Sequence, residues 1–166
     1  MIITTETRPE VTEQDAVDLI HLQDVDGDCC TVRVTGRSMP GVLTGHDILR
    51  AEVLAHASFV DIRLELFLSP RDLDTWQREL TELVPGKGVS IGGDRGLHLG
   101  LHMHEDRSLA VTIEDPDRLS AVLGIQPHES WIDAHHDRLE RVRESWPSEV
   151  LETDSMTYEW RPPREV

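Results

Sequence analysis

The sequence predicts an α+β domain: a curved antiparallel sheet of six or seven strands with two main helices packed on one face. Three observations predict it. Segments between residues 16 and 113 alternate apolar and polar residues with the period of two that a strand requires. Two other segments, opening at Ser69 and Ser130, place apolar residues at helical spacing. The strands come in runs instead of alternating one by one with helices, which argues for antiparallel pairing and against a parallel sheet built of crossovers.

In order along the chain, residues 16–23 (AVDLIHLQ) form a β-rich run, and Asp24 to Asp28 (DVDGD) is a turn around Asp26-Gly27. Residues 29–35 alternate, with Cys30, Val32 and Val34 on one face. Cys30 therefore points inward and Cys29 outward, and two adjacent cysteines read as free thiols, because a vicinal bridge is strained. Residues 36–45 (GRSMPGVLTG) are rich in chain breakers and read as a loop. Two long strands follow. Residues 48–57 turn Leu49, Ala51, Val53 and Ala55 to one side, and residues 59–68 turn Val60, Ile62, Leu64, Leu66 and Leu68 inward.

The period then changes. Ser69 is an N-cap, Pro70 occupies the first helical position and Asp72 follows three residues after the cap. Leu73, Trp76, Leu80 and Leu83 make the buried stripe, and Pro85-Gly86 ends it. Three short strands are expected at 88–91, 97–104 and 109–113, with a tight polar turn between the last two. Residues 118–123 read as one or two helical turns. A second capped helix opens at Ser130, with Ile132, Leu139, Val142 and Trp146 as its buried stripe. The expected organisation is a flexible acidic N-terminal segment (1–15), a single α+β domain (16–147) without internal repeat, and a C-terminal tail (148–166) in which Met156 to Trp160 is a candidate edge strand.

Composition narrows the function. The 166 residues hold 32 acidic against 16 basic side chains, a net charge of −16. The first 16 residues carry −3 and the last 20 carry −3, which leaves −10 for the middle. Such a field repels phosphate backbones, so direct nucleic-acid binding is not expected. It attracts a basic protein. No apolar run approaches the roughly 18 residues a membrane span needs. The first residues lack a basic start followed by an apolar stretch, so a secretory signal is not expected, and a cytoplasmic protein is.

Four constellations carry possible chemistry. On a strand, His98, Gly100, His102 and His104 share one face, and imidazoles so placed suit zinc, iron or nickel. His102 and His104, one strand pair apart, are the candidate ligands; His98 lies about 13 Å from His102, too far to share an ion. Gly96 followed by His102-x-His104 matches half of a cupin-type pattern, but no second His box follows. His135 and His136 flank the second helix's apolar stripe as half-buried boundary residues. Val34-Thr35-Gly36-Arg37-Ser38-Met39-Pro40 is similar to the nucleophile box of self-cleaving repressors and signal peptidases, one residue short. The one lysine able to serve as its base is Lys87. Finally, acids gather in turns: Asp24, Asp26 and Asp28 in one, Glu105 and Asp106 in another. These five are the candidate partner-binding residues.

From about Val17 to Trp146 the chain resembles an actinobacterial family of unknown function, through Val34-Thr35-Gly36-Arg37, residues 40–47 (PGVLTGHD), residues 69–74 (SPRDLD) and residues 114–117 (EDPD). More distantly it is similar to WapI-type immunity proteins, through a long strand before Phe59 and a helix opened by Asp72-Leu73 with Trp76, Leu80 and Leu83. The resemblance implies a binding or immunity role and brings no catalytic motif. The expected function is therefore a non-enzymatic protein-binding module, an acidic immunity-like inhibitor of a basic protein partner, with no cofactor. The alternatives are a metal-dependent enzyme using His102 and His104, and a regulatory scaffold.

Overall fold

A computed structural model describes residues 15–93 and 96–163. The segment 1–14, expected to be flexible, lies outside the described residues.

The chain folds as α+β, but its strands divide into two sheets where the sequence predicts one. Four strands, β1 (Val17–Gln23), β2 (Cys29–Arg37), β3 (Leu49–Ala57) and β4 (Val60–Leu68), form an antiparallel meander. Helix α1 (Pro70–Thr81) follows. A second meander then repeats the plan with β5 (Gly88–Gly92), β6 (His98–Met103), β7 (Leu109–Asp115) and β8 (Leu119–Ile125), closed by α2 (Trp131–Ser145). A separate hairpin, β9 (Val150–Asp154) and β10 (Thr157–Trp160), ends the described chain. The order is thus four strands and a helix, twice over. No internal repeat was legible in the residues, because the halves share topology and not side chains.

The single-sheet expectation fails at two places. Between β4 and β5 the chain spends 12 residues on α1, so no hairpin couples them. At 118–123 the expected helical turns are the strand β8. Leu119, Ala121, Leu123 and Ile125 face the core with period two, while Val122, 57% exposed, sits on the opposite face and mimics a helical apolar spacing. The C-terminal residues do form strands, but they pair with each other instead of extending a main sheet.

Local chemistry explains the elements that were read correctly. Ser69 Oγ accepts the Asp72 N–H at 3.2 Å, and the Asp72 carboxylate accepts the Ser69 N–H at 2.8 Å, a reciprocal capping box with Pro70 next in line. Leu73, Trp76, Leu80 and Leu83 are buried as expected, within one continuous core that draws on both meanders and both helices. Gly27 turns the first hairpin at φ 92°, a conformation that a side chain disfavours. Helix α2 departs from expectation. Ser130 makes no side-chain cap bond, and the buried stripe is Trp131, His135, Leu139 and Val142, with Ile132 and Trp146 at its margins.

Helix α2 packs on β1, α1 packs on β5, and the two helices touch. The helix contact is polar at its rim: Arg143 donates to Gln77 at 2.7 Å and to Asp74 at 2.8 Å.

Candidate functional site

Pairing register decides which turns share an end of the molecule. Across the first sheet, Gln23 faces Cys29, Cys29 faces His56, and His56 faces Asp61, one row over four strands. The 24–28 turn and the turn at Ser58-Phe59 therefore sit side by side. Across the second sheet the row is Gly88, His102, Ala110 and Gly124. It places the 104–108 turn next to the end of β8. The Asp24 carboxylate joins the two ends by accepting the Gln126 N–H at 2.9 Å, just beyond β8. All five acids singled out from the sequence thus lie at one pole: Asp24, Asp26 and Asp28 from the first sheet, Glu105 and Asp106 from the second. Asp61 joins them, with its side chain 82% exposed.

These acids are not equivalent. Asp24 and Asp106 hold their own turns. Asp24 accepts the Gln126 and Asp26 N–H groups, and those bonds pull its carboxyl below the ordinary range. Asp106 accepts the Ser108 O–H at 2.6 Å and its N–H at 3.0 Å, with the same effect. Asp26 and Glu105 are exposed. His56 hydrogen-bonds Asp61, which raises the imidazole's pKa. Lys87 and Arg107 are cations on the same row of turns. Two large apolar side chains stand in solvent among these charges: Val25 at 93% exposure and Phe59 at 67%. Both occupy hairpin tips, where burial by the fold itself is unavailable.

The candidate metal ligands are also at this end. The His102 and His104 rings are exposed, with centroids 5.2 Å apart in an edge-to-face arrangement. No group of three metal-ligating side chains forms among the described residues. His98 sits toward the far end of β6, as the spacing predicts. Ser38 and Lys87 are not brought together. Ser38 starts the loop after β2, where its N–H donates to the Ile48 carbonyl at 2.8 Å, whereas Lys87 sits in the turn just before β5, at the opposite pole.

The cysteines behave as read. Both are free, Cys29 half-buried and Cys30 buried, and burial pushes the Cys30 thiol up to about 12, with Cys29 adding to the shift. A thiol so displaced is a core side chain and not a nucleophile at neutral pH.

Two sites escaped the sequence reading. The first lies opposite the acidic pole. Asp47 accepts the N–H groups of Glu149 and Val150, near 3.0 Å each, and the Ser148 O–H at 2.9 Å. Arg37 donates to Asp47 at 3.1 Å, to the Pro147 carbonyl at 2.7 Å and to Glu149 at 3.0 Å. Desolvation raises the Asp47 carboxyl, but these donors outweigh it and hold the group below its ordinary range. His46 accepts the Gly41 N–H at Nδ1, so Nε2 carries the proton toward Glu149 at 3.2 Å, and Trp160 packs edge-on against the ring. Together these contacts latch the C-terminal hairpin to the 38–48 loop. Arg37, His46 and Asp47 all belong to the motif segments noted in the sequence; what could not be read was their partner, a hundred residues away.

The second is His135. It is 1% exposed and not a boundary residue. Its Nδ1 meets the Trp131 carbonyl at 2.6 Å and its Nε2 accepts the His21 N–H at 3.0 Å. His21 lies on β1, an edge strand, and its outward N–H would otherwise lack a partner.

The profile of a family of unknown function, DUF5959, matches residues 17–147. The chain belongs to this family. The matched span coincides with the region of resemblance read from the sequence and covers both meanders and both helices, while the latched hairpin falls outside it. No curated protein and no solved structure matches the chain. Among the described residues, no helix is long and apolar enough to cross a membrane.

Proposed function

We propose that this DUF5959 protein is a non-enzymatic protein-binding module, an immunity-like inhibitor that covers the cationic cleft of a basic protein. The single observation that carries the reading is the convergence, at one pole, of acidic turns from both sheets around exposed Val25 and Phe59. Steering comes from the carboxylates, which raise the encounter rate with a cation-rich surface and discriminate against acidic proteins. Close-range affinity comes from the apolar tips, because interfaces draw their energy from a few desolvated apolar anchors and not from rim charges. The pole needs no rearrangement to bind, since Asp24 and Asp106 already brace the turns that present Asp26, Asp28 and Glu105. The adjacent free thiols suit a reducing cytoplasm.

The experiment is affinity capture with the full chain and with a variant neutralised at the pole (Asp26→Asn, Asp28→Asn, Glu105→Gln), which leaves the bracing Asp24 and Asp106 in place, followed by mass spectrometry. The expected result is a basic protein retained by the parent and lost by the variant, with both forms melting alike. Capture of the same proteins by both forms would overturn the reading.

A further inference from the structure

The two meanders have four outer edges, on β1, β4, β5 and β8. The fold closes three of them. On β1, the His21 N–H donates to His135 and the Asp18 carbonyl accepts from Arg138, so α2 covers that edge. On β5, the Ser90 N–H donates to the Glu79 carboxylate of α1 at 2.9 Å. The edge of β4 carries exposed Asp61, Arg63 and Glu65, and charges along an edge discourage strand addition. β8 has none of these devices. It ends its sheet, and residues 119–127 (LSAVLGIQP) hold no charge in a chain of net −16.

Register identifies the groups that this edge presents. The His104 N–H donates to the Ser108 carbonyl at 2.9 Å, and no bulge interrupts the pairing of β6 with β7 or of β7 with β8. Successive residues of a strand bond to opposite neighbours, so the even-numbered residues of β7 bond to β6 and the odd-numbered ones to β8. Leu119, Ala121, Leu123 and Ile125 complete that ladder. Ser120, Val122 and Gly124 therefore turn both N–H and C=O away from the sheet, and among the described residues nothing bonds these groups. The series stops at both ends. Toward the acidic pole the next N–H, that of Gln126, goes to Asp24, and at the other end the Arg118 N–H goes to the Asp115 carbonyl. What is left is an open run of three residues with exposed Val122 at its centre.

We propose that β8 is a dimerisation edge: a second copy of this chain adds its own β8, antiparallel, across a two-fold axis at Val122. Val122 then faces Val122 of the second copy, and Ser120 faces Gly124 in both directions, so each of these pairs exchanges two N–H···O bonds. The pairing is self-complementary, as a two-fold interface must be. Leu119 and Ala121 fall opposite Ile125 and Leu123 of the second copy, which keeps the core faces of the two sheets on the same side. Charge selects the occupant. Two strongly acidic chains can approach where each is neutral, whereas a basic protein is drawn to the acidic pole. The antiparallel direction sends the two poles to opposite ends. It also sets Arg118, whose guanidinium is exposed, opposite Gln126 of the second copy, beside the Asp24 carboxylate there. The inference does not depend on the acidic pole binding anything.

The test is sedimentation equilibrium of the full chain over a wide concentration range, with amide hydrogen exchange read by NMR on the same samples. The expected result is a monomer–dimer equilibrium in which protection of the Ser120, Val122 and Gly124 amides rises with concentration. The dimer should tighten several-fold from low to physiological salt, because screening relieves the repulsion between two acidic chains. Binding of a basic protein at the pole changes in the opposite sense, so the two readings fail separately. Val122→Lys sets like charges together on the axis and should weaken the dimer about ten-fold or more. Ser120→Pro removes one outward N–H and leaves the ladder to β7 whole, so it should weaken the dimer in the same direction and keeps the test decisive should Val122→Lys fold poorly. A chain that stays monomeric throughout, a dimer that either folded variant leaves unchanged, or amides at 120, 122 and 124 that stay unprotected in the dimer would each overturn the proposal.

Discussion

The backbone N–H of His21 donates to Nε2 of His135 at 3.0 Å, and this bond ties an edge strand to the helix that covers it. It also fixes the imidazole's chemistry. Nε2 must be an acceptor, so the proton sits on Nδ1, facing the Trp131 carbonyl at 2.6 Å. A second proton has no place to go without confronting the His21 N–H. Burial, first, and then the nearby Arg138, His21 and His136 charges push the His135 pKa down to about 4.

Acid should therefore destabilise the fold through this residue. The folded state resists a proton that the unfolded chain accepts near its ordinary value of 6.5. The neutral histidine's contribution is complete above pH 6.5 and is lost as pH falls toward 4, by about 3 kcal/mol for the full shift. His56, whose pKa is raised, works in the opposite sense: its contribution is present at low pH and fades as pH rises through its folded value. Comparing the parent with His135→Leu in denaturant titrations at pH 7, 5.5 and 4.5 separates the two. The variant should lose about 1–3 kcal/mol at pH 7, because the His21 N–H is left unpaired, and should show a flatter profile on the acid side.

Trp76 is the largest fully buried side chain, at 1% exposure, and its Nε1–H has no hydrogen-bond partner among the described residues. Trp76→Ala should cost about 3–5 kcal/mol. Trp76→Phe should cost clearly less than Ala, since it keeps most of the ring and removes a buried donor that has no partner among the described residues. Chemical denaturation of the three forms checks both statements.

The C-terminal hairpin is held to the body largely through Asp47. A two-stranded hairpin is marginal by itself, so Asp47→Ala should release it without unfolding the meanders. Limited proteolysis should then cut within 148–163 several-fold faster, while the melting of the remainder changes little. Equal cleavage rates would mean that the hairpin is anchored by Trp160 on His46 and not by the carboxylate.

Phe59 stands 67% exposed at a hairpin tip and contributes little to the core, so Phe59→Ser should change stability by less than about 0.5 kcal/mol. On the proposed reading it should speed dissociation of the partner and leave association almost unchanged, because anchors act on residence time and charges act on encounter. Surface-bound kinetics of the two forms separate these effects.

The legible part of the fold is the part governed by local rules. β-Rich runs and alternation revealed β1 to β7, and the capping box with its leucine stripe revealed α1. What could not be read depends on partners distant in sequence. Val122 made β8 look helical because one exposed valine supplies the wrong spacing. His135 looked like a boundary residue because its need, an unpaired N–H on an edge strand more than a hundred residues away, is invisible in one dimension. The same holds for Asp47 and the tail. The acidic turns were legible as separate runs; their meeting at one pole follows only from register.

That meeting is the central claim, and its most direct measurement is the association rate of the captured basic partner as a function of ionic strength. Screening shortens to about 8 Å at physiological salt. The account predicts that the rate falls steeply between low and physiological salt for the parent chain and much less for the variant neutralised at Asp26, Asp28 and Glu105, with dissociation nearly constant throughout. Equal salt dependence in the two forms, or a salt-insensitive rate for the parent, would contradict it.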